Sequence, residues 1–301
     1  MKVLITGANG LIGQGLINYL SRDKNNQITA TSRRTVITNQ DISTFTVDLV
    51  YADINKLMDT LKPDTLIHCA AIASPDACEV DRFASQRMNV DVTSRLAAAC
   101  KDYSVKMVFI STDLIFDGIK GNYTEEDKPM PINFYGVTKA DAENAIMSSG
   151  INAAIIRTSM VYGYNLRIAR KNIIVRIIES LSKGKPFRIA ADQIRTPTYI
   201  DDLTGAISKI AQGEFTGIFN IAGEETIAVK DFARLLVDSF SLDPSLLIPV
   251  KTKDLPDPAV RPLNTSLSII KAKEMLGYKP TSLGDSFKAI RQQYQEVKNL
   301  C

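Results

Sequence analysis

Short apolar strands alternate with amphipathic helices through the first half of the chain, and this pattern limits the fold most strongly. Short connections between such elements predict a parallel sheet that is covered by helices on both faces. We therefore expect an α/β fold with a Rossmann-like, doubly wound parallel sheet. Strands are predicted at Val3–Thr6, Ile28–Thr31, Thr65–His68, Lys106–Ile110 and Ala153–Arg157, and helices at Leu11–Ser21, Ile54–Leu61 and Val90–Lys101.

Beyond about residue 160 the segments are spaced irregularly and contain more proline, as in Arg195–Tyr199 and Leu255–Pro258. This change indicates a second structural unit. We expect residues 1–160 to form an NAD(P)-binding domain whose sheet is completed by later segments. Residues 161–301 are expected to form mainly a smaller C-terminal, substrate-binding lobe.

The composition is that of an ordinary globular protein, with 45% hydrophobic and 23% charged residues among 301. A formal net charge of +3 gives no indication of nucleic acid or a membrane as a partner. The sequence contains neither a signal-like apolar segment nor a run of about 20 apolar residues that could span a bilayer. We expect a cytoplasmic protein.

Cysteine and histidine are sparse. The four cysteines, at positions 69, 78, 100 and 301, form no CxxC pair, so neither a disulfide framework nor a metal site is expected. Cys69 and Cys100 lie in apolar surroundings and are expected in the core. His68 is the only histidine in the sequence. This excludes catalysis by a Ser/His/Asp triad, unless His68 itself serves, and it excludes zinc sites built on two or more histidines.

Three glycines follow the first predicted strand and open the first predicted helix. In this context Gly7 permits a tight turn, Gly10 lets the backbone approach a pyrophosphate, and Gly13 allows close packing of helix on sheet. The helix N-terminus adds amide donors and a positive dipole end. We therefore predict dinucleotide binding along this turn, at Gly7, Asn9, Gly10, Leu11, Ile12 and Gly13.

The residues after the second predicted strand favour NADP over NAD. An NAD site usually has a carboxylate there to accept a hydrogen bond from the ribose 2′-hydroxyl. This chain instead has Ser32, Arg33 and Arg34, and two guanidinium groups suit a 2′-phosphate. NAD stays open, as does the alternative that both arginines are simply solvated loop charges.

Two further segments carry the candidate chemistry. Ser111, Thr112 and Asp113 follow a predicted strand at the sheet edge where open α/β sheets bind ligands. Tyr135 and Lys139 lie one helical turn apart, so the ammonium group can lower the tyrosine pKa and make the phenol a usable acid. Thr112 is suited to hydrogen-bond the same substrate carbonyl. The alternative is an exposed Tyr–Lys pair without a catalytic role.

With these segments in place, the chain resembles the extended short-chain dehydrogenase/reductases, and within them the dTDP-4-dehydrorhamnose reductases and their sugar-nucleotide-binding relatives. The resemblance covers nearly the whole length. It also rests on the following residues: His68–Ala71, Asn89, Arg157–Gly163, Asp192–Tyr199 and Arg261–Leu267.

The resemblance implies reduction of a 4-keto group on a nucleotide-linked deoxysugar by NADPH, with Thr112, Tyr135 and Lys139 as the catalytic residues. It implies further dinucleotide contacts along the sheet edge, at Asp48, Leu49, Cys69, Ala70, Ala71, Ser111, Arg157, Thr158 and Ser159. The implied partner is a nucleotide-sugar substrate, held by residues that include Thr112, Asp113, Leu114, Met160 and Arg261.

The sequence departs from this family at three places. Family members usually carry Tyr where Leu114 stands and Trp where Met160 stands, and this chain has no Trp, so the identity of the sugar stays open. Some members join subunits through a metal bound by glutamates, one of them at the position of Gly15. We therefore expect any homodimer to lack a metal bridge.

Two groups of basic residues have alternative interpretations. Arg261 either anchors the substrate diphosphate or ties the C-terminal lobe together by a salt bridge. The second group lies on a predicted helix and either contacts substrate or forms a solvated face: Arg167, Arg170, Lys171 and Arg176.

Two other functions stay open. One is a non-catalytic regulatory or binding subunit, like the regulatory subunit of methionine adenosyltransferase, which resembles the same branch. The other is a nucleotide-sugar epimerase or dehydratase, which returns the hydride to the sugar and so keeps its cofactor bound.

Overall fold

The computed structural model describes residues 1–38, 40–165 and 171–300, and side chains only as far as residue 296. The strands are β1 (Lys2–Thr6), β2 (Gln27–Ser32), β3 (Ser43–Thr46), β4 (Thr65–His68), β5 (Lys106–Ile110), β6 (Ala153–Arg157), β7 (Val161–Tyr162), β8 (Phe187–Ala190), β9 (Ile194–Arg195), β10 (Thr198–Tyr199), β11 (Gly217–Asn220), β12 (Ile227–Ala228) and β13 (Leu247–Val250).

The helices lie between these strands and after the last of them. They are α1 (Leu11–Leu20), α2 (Ile54–Leu61), α3 (Pro75–Val80), α4 (Arg82–Gln86), α5 (Val92–Asp102), α6 (Phe134–Ser149), α7 (Ile173–Leu181), α8 (Ile200–Gln212), α9 (Val229–Ser239), α10 (Ile270–Leu276) and α11 (Leu283–Leu300).

Seven parallel strands form the main sheet, in the order β11-β6-β5-β4-β1-β2-β3. The order reverses between β1 and β4, so the carboxyl ends of these strands flank a crevice of the kind that binds ligands in doubly wound sheets. The predicted α/β, Rossmann-like fold class is confirmed.

Both faces of the sheet are covered. On one face α1 and α8 pack against side chains such as Ile5 and Val108, and on the other α2, α5 and α6 pack against neighbours such as Leu4 and Phe109. Because both faces are buried, the central strands read as continuous apolar runs rather than as alternating ones. Helix α5 begins two residues later than predicted, since Arg87–Asp91 form a π-helical turn before it.

A second hydrophobic core lies outside the main sheet. It is formed by α7, α9 and α11 around the aromatic side chains of Tyr162, Phe232 and Phe287, whose ring centroids lie 5.1–5.8 Å apart. Three two-stranded pairings, β7–β10, β8–β13 and β9–β12, accompany it. By contrast α8 packs on α1, and β11 pairs with β6, so these later segments join the main sheet.

Helices of the described chain are too short or too polar for membrane crossing.

Candidate active site

The glycine turn after β1 is packed too tightly for any side chain at two of its positions. Gly7 has φ +70°, and a Cβ atom there would lie 2.6 Å from the backbone nitrogen of Ala70. A Cβ atom on Gly13 would lie 2.5 Å from the carbonyl oxygen of Gly7. Gly10 meets only that same oxygen, at 3.3 Å, so its outer side is open. It also begins α1 with no side-chain cap. The turn thus presents open backbone and helix amides to an anion.

The Asn9 side chain joins this turn to the loop after β2 by two hydrogen bonds. Its Nδ2 donates to the Thr35 carbonyl at 2.9 Å, and its Oδ1 accepts from the Ile37 amide at 3.1 Å. The loop that is held in this way follows Arg33 and Arg34, which are both exposed at the carboxyl end of β2. Asn9 therefore positions the loop that carries the arginines rather than offering a free side chain to the cofactor.

Asp48 and Leu49 follow β3 at the same edge of the sheet. The Asp48 carboxylate accepts a hydrogen bond from the Val50 amide at 3.0 Å, and Leu49 is buried. Arg95 of α5 donates to the carbonyls of Leu49 and Val50 at 3.2 and 3.1 Å. Asp48 and Leu49, for which the resemblance implied dinucleotide contacts, thus follow the strand next to Ser32, because Ser32 pairs with Thr46 in the β2–β3 register.

His68 is a structural residue of the sheet edge. Its Nδ1 lies 2.7 Å from Thr6 Oγ1, and its Nε2 lies 3.1 Å from Thr93 Oγ1. Thr93 gives its own proton to the Asn89 carbonyl, so the histidine donates from Nε2 and accepts at Nδ1. Burial, with the nearby Lys139 ammonium, lowers the His68 pKa to about 3. A neutral, fully engaged imidazole is not an acid or base for catalysis.

The residues after His68 form the wall behind the glycine turn. The Ala70 amide donates to Thr6 Oγ1 at 3.3 Å, and both Ala70 and Ala71 are partly exposed. Cys100 is buried, as expected, but Cys69 is only partly buried, because it lies at the end of its strand. Desolvation raises the pKa of the Cys69 thiol to about 12, so it stays protonated.

Lys139 is buried at the end of β5, with 2% of its surface exposed. Its ammonium donates to the Ile110 carbonyl at 2.6 Å and lies 3.8 Å from the centre of the Phe109 ring. Desolvation lowers its pKa to about 7, against the opposing influence of the Glu143 carboxylate one turn along α6. Tyr135, in the first turn of α6, is only 9% exposed. The alternative of an exposed Tyr–Lys pair is therefore wrong.

The segments that carry Thr112 and Tyr135 are in close backbone contact. A Cβ atom on Gly136 would lie 2.1 Å from the Leu114 carbonyl oxygen, so only glycine lets α6 approach the turn at Asp113–Ile115 so closely. Asn133 caps α6 by accepting from the Gly136 amide at 2.9 Å. Thr112 Oγ1 accepts from the Leu114 amide and donates to Asp113 Oδ1, both at 3.2 Å.

Asp113 is buried, and its carboxylate is engaged by protein groups. Its Oδ2 accepts from Ser159 Oγ at 2.8 Å and from Thr265 Oγ1, and it lies 3.6 Å from Arg195 Nε. These partners occupy Oδ2, and the Asp113 side chain is only 5% exposed, which leaves little of the carboxylate open to a sugar hydroxyl. These are the contacts of a positioning residue, and the direct substrate contact of Asp113 that the resemblance implied stays a prediction.

The stretch at the end of β6 also has its polar side chains paired inside the protein, at Arg157, Thr158 and Ser159. Arg157 pairs with Glu143 of α6 at 2.8 Å, and both side chains are 2% exposed. Thr158 Oγ1 donates to Thr198 Oγ1 at 3.1 Å. Any contact of this stretch with a nicotinamide ring would have to come from its backbone.

The candidate sugar-side residues lie around the same edge. Leu114 is partly exposed, and Met160 is partly exposed with φ +40°, a left-handed conformation that non-glycine residues adopt rarely. Arg261 forms a salt bridge with Asp76 at 2.7 Å, and the Ala259 amide donates to the same carboxylate at 3.2 Å. Arg261 thus forms a salt bridge, as its alternative interpretation held, but the bridge ties its segment to α3 of the first half of the chain and not to its own lobe. Contact of Arg261 with a substrate diphosphate stays a prediction.

Packing explains why position 15 holds glycine and not the metal-binding glutamate of some family members. Gly15 faces α8, where a Cβ atom would lie 2.9 Å from side-chain carbons of Ile200 and Thr204. Within the described ranges no three His, Cys, Asp or Glu side chains cluster as a metal site would require.

Of the basic run, Arg167 and Arg170 lie outside the described residues. Lys171 pairs with Glu179 at 2.7 Å, and the guanidinium of Arg176 lies over the Phe187 ring at 5.4 Å from its centre.

Three important side chains were missed as site residues in the sequence analysis: Glu143, Arg195 and Thr265. Glu143 continues the spacing of four from Tyr135 and Lys139, so helical periodicity could have found it. Arg195 and Thr265 lie inside quoted motifs, but their contact with Asp113 depends on folding across more than 80 residues.

The residues fit a dinucleotide. The Ser111 hydroxyl, at the end of β5, is buried and has no hydrogen-bond partner among the described residues. An unpaired buried hydroxyl is costly unless a ligand satisfies it. Together with the open side of the glycine turn, it suits a bound nicotinamide dinucleotide.

Comparison with known proteins agrees with this geometry. Residues 1–296 match the family model described as RmlD substrate binding domain. Among similar proteins, methionine adenosyltransferase 2 subunit beta of Rattus norvegicus is 28% identical, over 91% of this chain and 82% of its own length. The dTDP-4-dehydrorhamnose reductase of Aggregatibacter actinomycetemcomitans is 29% identical, over 96% of this chain and 98% of its own.

Solved structures are similar over the whole fold. A dTDP-4-dehydrorhamnose reductase of Clostridium acetobutylicum has a TM-score of 0.87 and 28% identity, covering 98% of this chain and 100% of that one. The enzyme of Bacillus anthracis, solved in complex with NADP, has a TM-score of 0.85 and 25% identity, covering 97% and 99%. The chain belongs to the RmlD substrate binding domain family, within the extended short-chain dehydrogenase/reductases.

Proposed function

We propose that this protein is an NADPH-dependent reductase of a 4-keto group on a nucleotide-linked deoxysugar. The observation that carries the proposal is the packing of Gly136 against the Leu114 carbonyl, which seats the Tyr135–Lys139 turn of α6 on the strand end that holds Thr112. This arrangement has the groups that carbonyl reduction needs, and a dTDP-4-dehydrorhamnose reductase is among its relatives.

The chain's own residues supply the proton and orient the substrate carbonyl group. Reduced nicotinamide, when bound, supplies a hydride for the carbonyl carbon. Tyr135 gives its phenolic proton to the carbonyl oxygen. The Thr112 hydroxyl turns its single proton from Asp113 Oδ1 to this oxygen when substrate binds, and the hydrogen bond holds the oxygen in place. The Lys139 ammonium, buried one turn away, favours the phenolate that remains.

For the cofactor, we propose the glycine turn as the pyrophosphate site and Arg33 with Arg34 as the 2′-phosphate site. Both arginines are exposed at the end of β2, where a guanidinium can reach a phosphate. NAD remains the alternative cofactor. The buried Ser111 hydroxyl would form its hydrogen bond with the nicotinamide half of the cofactor.

We propose that residues 1–160 form the cofactor domain, completed by α8 and β11, and that the second hydrophobic core belongs to a substrate-binding lobe. The division follows the two cores. A homodimer of this protein would form without a bridging metal, because Gly15 lies against α8.

A regulatory function is the second candidate, since methionine adenosyltransferase 2 subunit beta is a relative of similar identity. The burial of Tyr135 and Lys139 favours the reductase, because a binding subunit has no need of a buried tyrosine–lysine pair. An epimerase or dehydratase would retain NAD through purification, so the cofactor content of the purified protein distinguishes that third function.

The test is to incubate the purified protein with NADPH and a panel of dTDP- and UDP-linked 4-keto-6-deoxy sugars and to follow NADPH absorbance. We expect oxidation of NADPH that depends on one of these sugars and yields the 4-hydroxy product. A protein that oxidises no NADPH with any of them, and instead co-purifies stoichiometrically with a partner, would be a regulatory subunit.

A further inference from the structure

Asp113 connects the candidate catalytic hydroxyl to segments that are distant in sequence. Its Oδ1 accepts a hydrogen bond from the Thr112 hydroxyl. Its Oδ2 accepts hydrogen bonds from the hydroxyls of Ser159 and Thr265 and forms an ion pair with Arg195. The carboxylate is 4% exposed, so water does not compete for these positions. A carboxylate with one oxygen held by three groups has little freedom to rotate, and its other oxygen stays in place.

Arg195 fixes one side of this arrangement. Its Nη1 donates to the carbonyls of Ile194 and Leu263 at 2.7 and 3.0 Å, and its Nη2 donates to Gln193 Oε1 at 3.1 Å and to the Pro262 carbonyl at 2.7 Å. The guanidinium therefore joins the two motif segments, Asp192–Tyr199 and Arg261–Leu267, before it reaches Asp113.

The first motif segment is also attached to the second hydrophobic core. Strand β9 pairs with β12, which leads into α9, and the Val229 amide donates to the Gln193 carbonyl at 2.9 Å. The Asp192 carboxylate accepts from the Thr252 amide at 2.9 Å. A displacement of this lobe would therefore act on Arg195, then on Asp113, and through it on Thr112.

We propose that Asp113 and Thr265 are positioning residues that hold the Thr112 side chain in place until its proton turns to the substrate oxygen, and that couple the position of this side chain to the substrate-binding lobe. The reaction that Thr112 serves rests on the proposed function above. Thr265 is the informative residue of the pair, because it contacts Asp113 and not Thr112. Loss of its hydroxyl frees Oδ2 on one side, loosens the carboxylate and lets the Thr112 side chain turn away.

A graded series at Thr265 tests this. We expect Thr265→Ser to keep the wild-type kcat, Thr265→Cys, a weaker donor, to lower it, and Thr265→Val to lower it about tenfold, the size of one lost hydrogen bond. NADPH affinity should stay unchanged throughout. Thr281→Val is the matched control, because Thr281 also donates to a carboxylate, that of Asp202, at 2.7 Å. We expect it to lower stability without lowering kcat.

Hydrogen exchange gives a second measurement that needs no substrate. The Leu114 amide donates to Thr112 Oγ1, so its exchange should rise in Thr265→Val and stay unchanged in Thr281→Val. If kcat and the exchange of residues 112–116 both stay at wild-type values in Thr265→Val, the coupling is refuted. If the wild type reduces no keto-sugar, the proposed function fails, and the exchange measurement still decides whether Thr265 holds Thr112.

Discussion

At the scale of single residues, the site is governed by where charge is buried. Lys139 lies near His68 of β4, Cys69 directly after that strand, Cys78 of α3 and Glu143 of its own helix. Burial lowers its pKa from 10.5 to about 7, so the folded protein loses this proton more readily than the unfolded chain does. The lysine is therefore a site where function costs stability.

This cost predicts a pH dependence of folding. Between pH 7 and pH 10.5 the unfolded chain binds more protons at this position than the folded protein, so stability rises with pH in that window. From pH 7 to pH 9 the free energy of unfolding of the wild type should gain about 2 kcal/mol relative to Lys139→Met. Denaturant titrations at both pH values measure the difference. Parallel pH profiles for the two proteins would show that Lys139 keeps an ordinary pKa.

Cofactor choice is also set by single residues. Replacing Arg33 with Asp should weaken NADPH binding about tenfold or more, because a carboxylate repels the 2′-phosphate, and should improve NADH binding through the ribose hydroxyls. Titration of both cofactors measures this. Lys183→Asp, the same charge change at an exposed site after α7, is the control. Equal NADPH affinity in wild type and Arg33→Asp would remove Arg33 from the site.

At the scale of elements, α6 and the end of β5 form one unit. Tyr135, Lys139 and Glu143 follow each other at intervals of four along α6, and the last of them pairs with Arg157 at the end of β6. Gly136 lets the first turn of this helix reach the Leu114 carbonyl. The helix is thus fixed by its first turn to the segment after β5 and near its middle to the end of β6, which keeps the candidate acid close to the segment of Thr112.

The position of α6 is best tested at the contact between Gly136 and the Leu114 carbonyl. Gly136→Ala would place a methyl group against a backbone oxygen, so we expect a loss of about 2 kcal/mol in stability and a large fall in kcat as α6 is displaced. Gly205→Ala in α8 is the matched control. Its nearest neighbour is the Tyr19 hydroxyl at 3.5 Å, an ordinary contact, so it should leave stability unchanged or raise it slightly. Similar stability and activity in Gly136→Ala and wild type would contradict the close contact.

Five of the seven strands of the main sheet were predictable because local periodicity determines them, whereas β3, whose four residues are all exposed, and β11 were not predicted. The buried strands from Val3 to Arg157 were recognised by their apolar runs, and the glycine turn by its position after the first of them. The side-chain partners of Asp113 and Arg157 were not predictable. Both are polar residues at strand ends, and only the folded structure shows that Arg195, Thr265 and Glu143 reach them from distant segments.

At the scale of the whole molecule, polar contacts near the site connect segments after residue 190 to the first half of the chain. The salt bridge between Arg261 and Asp76, which is partly exposed, reaches α3, and the buried contact of Arg195 with Asp113 reaches the segment after β5. Sequence motifs indicated that these later segments belong to the site. Their spacing could not show that Arg261 has a carboxylate partner 185 positions away, since that depends on how the lobe closes.

The most direct test of the central claim is the turnover of Tyr135→Phe with NADPH and the 4-keto sugar that the wild type reduces. Phenylalanine keeps the ring and removes the proton, so we predict that kcat falls about 100-fold or more while the Kd for NADPH stays within about twofold. Near-normal turnover in Tyr135→Phe would mean that the proton comes from another group, and the mechanism described here would be wrong.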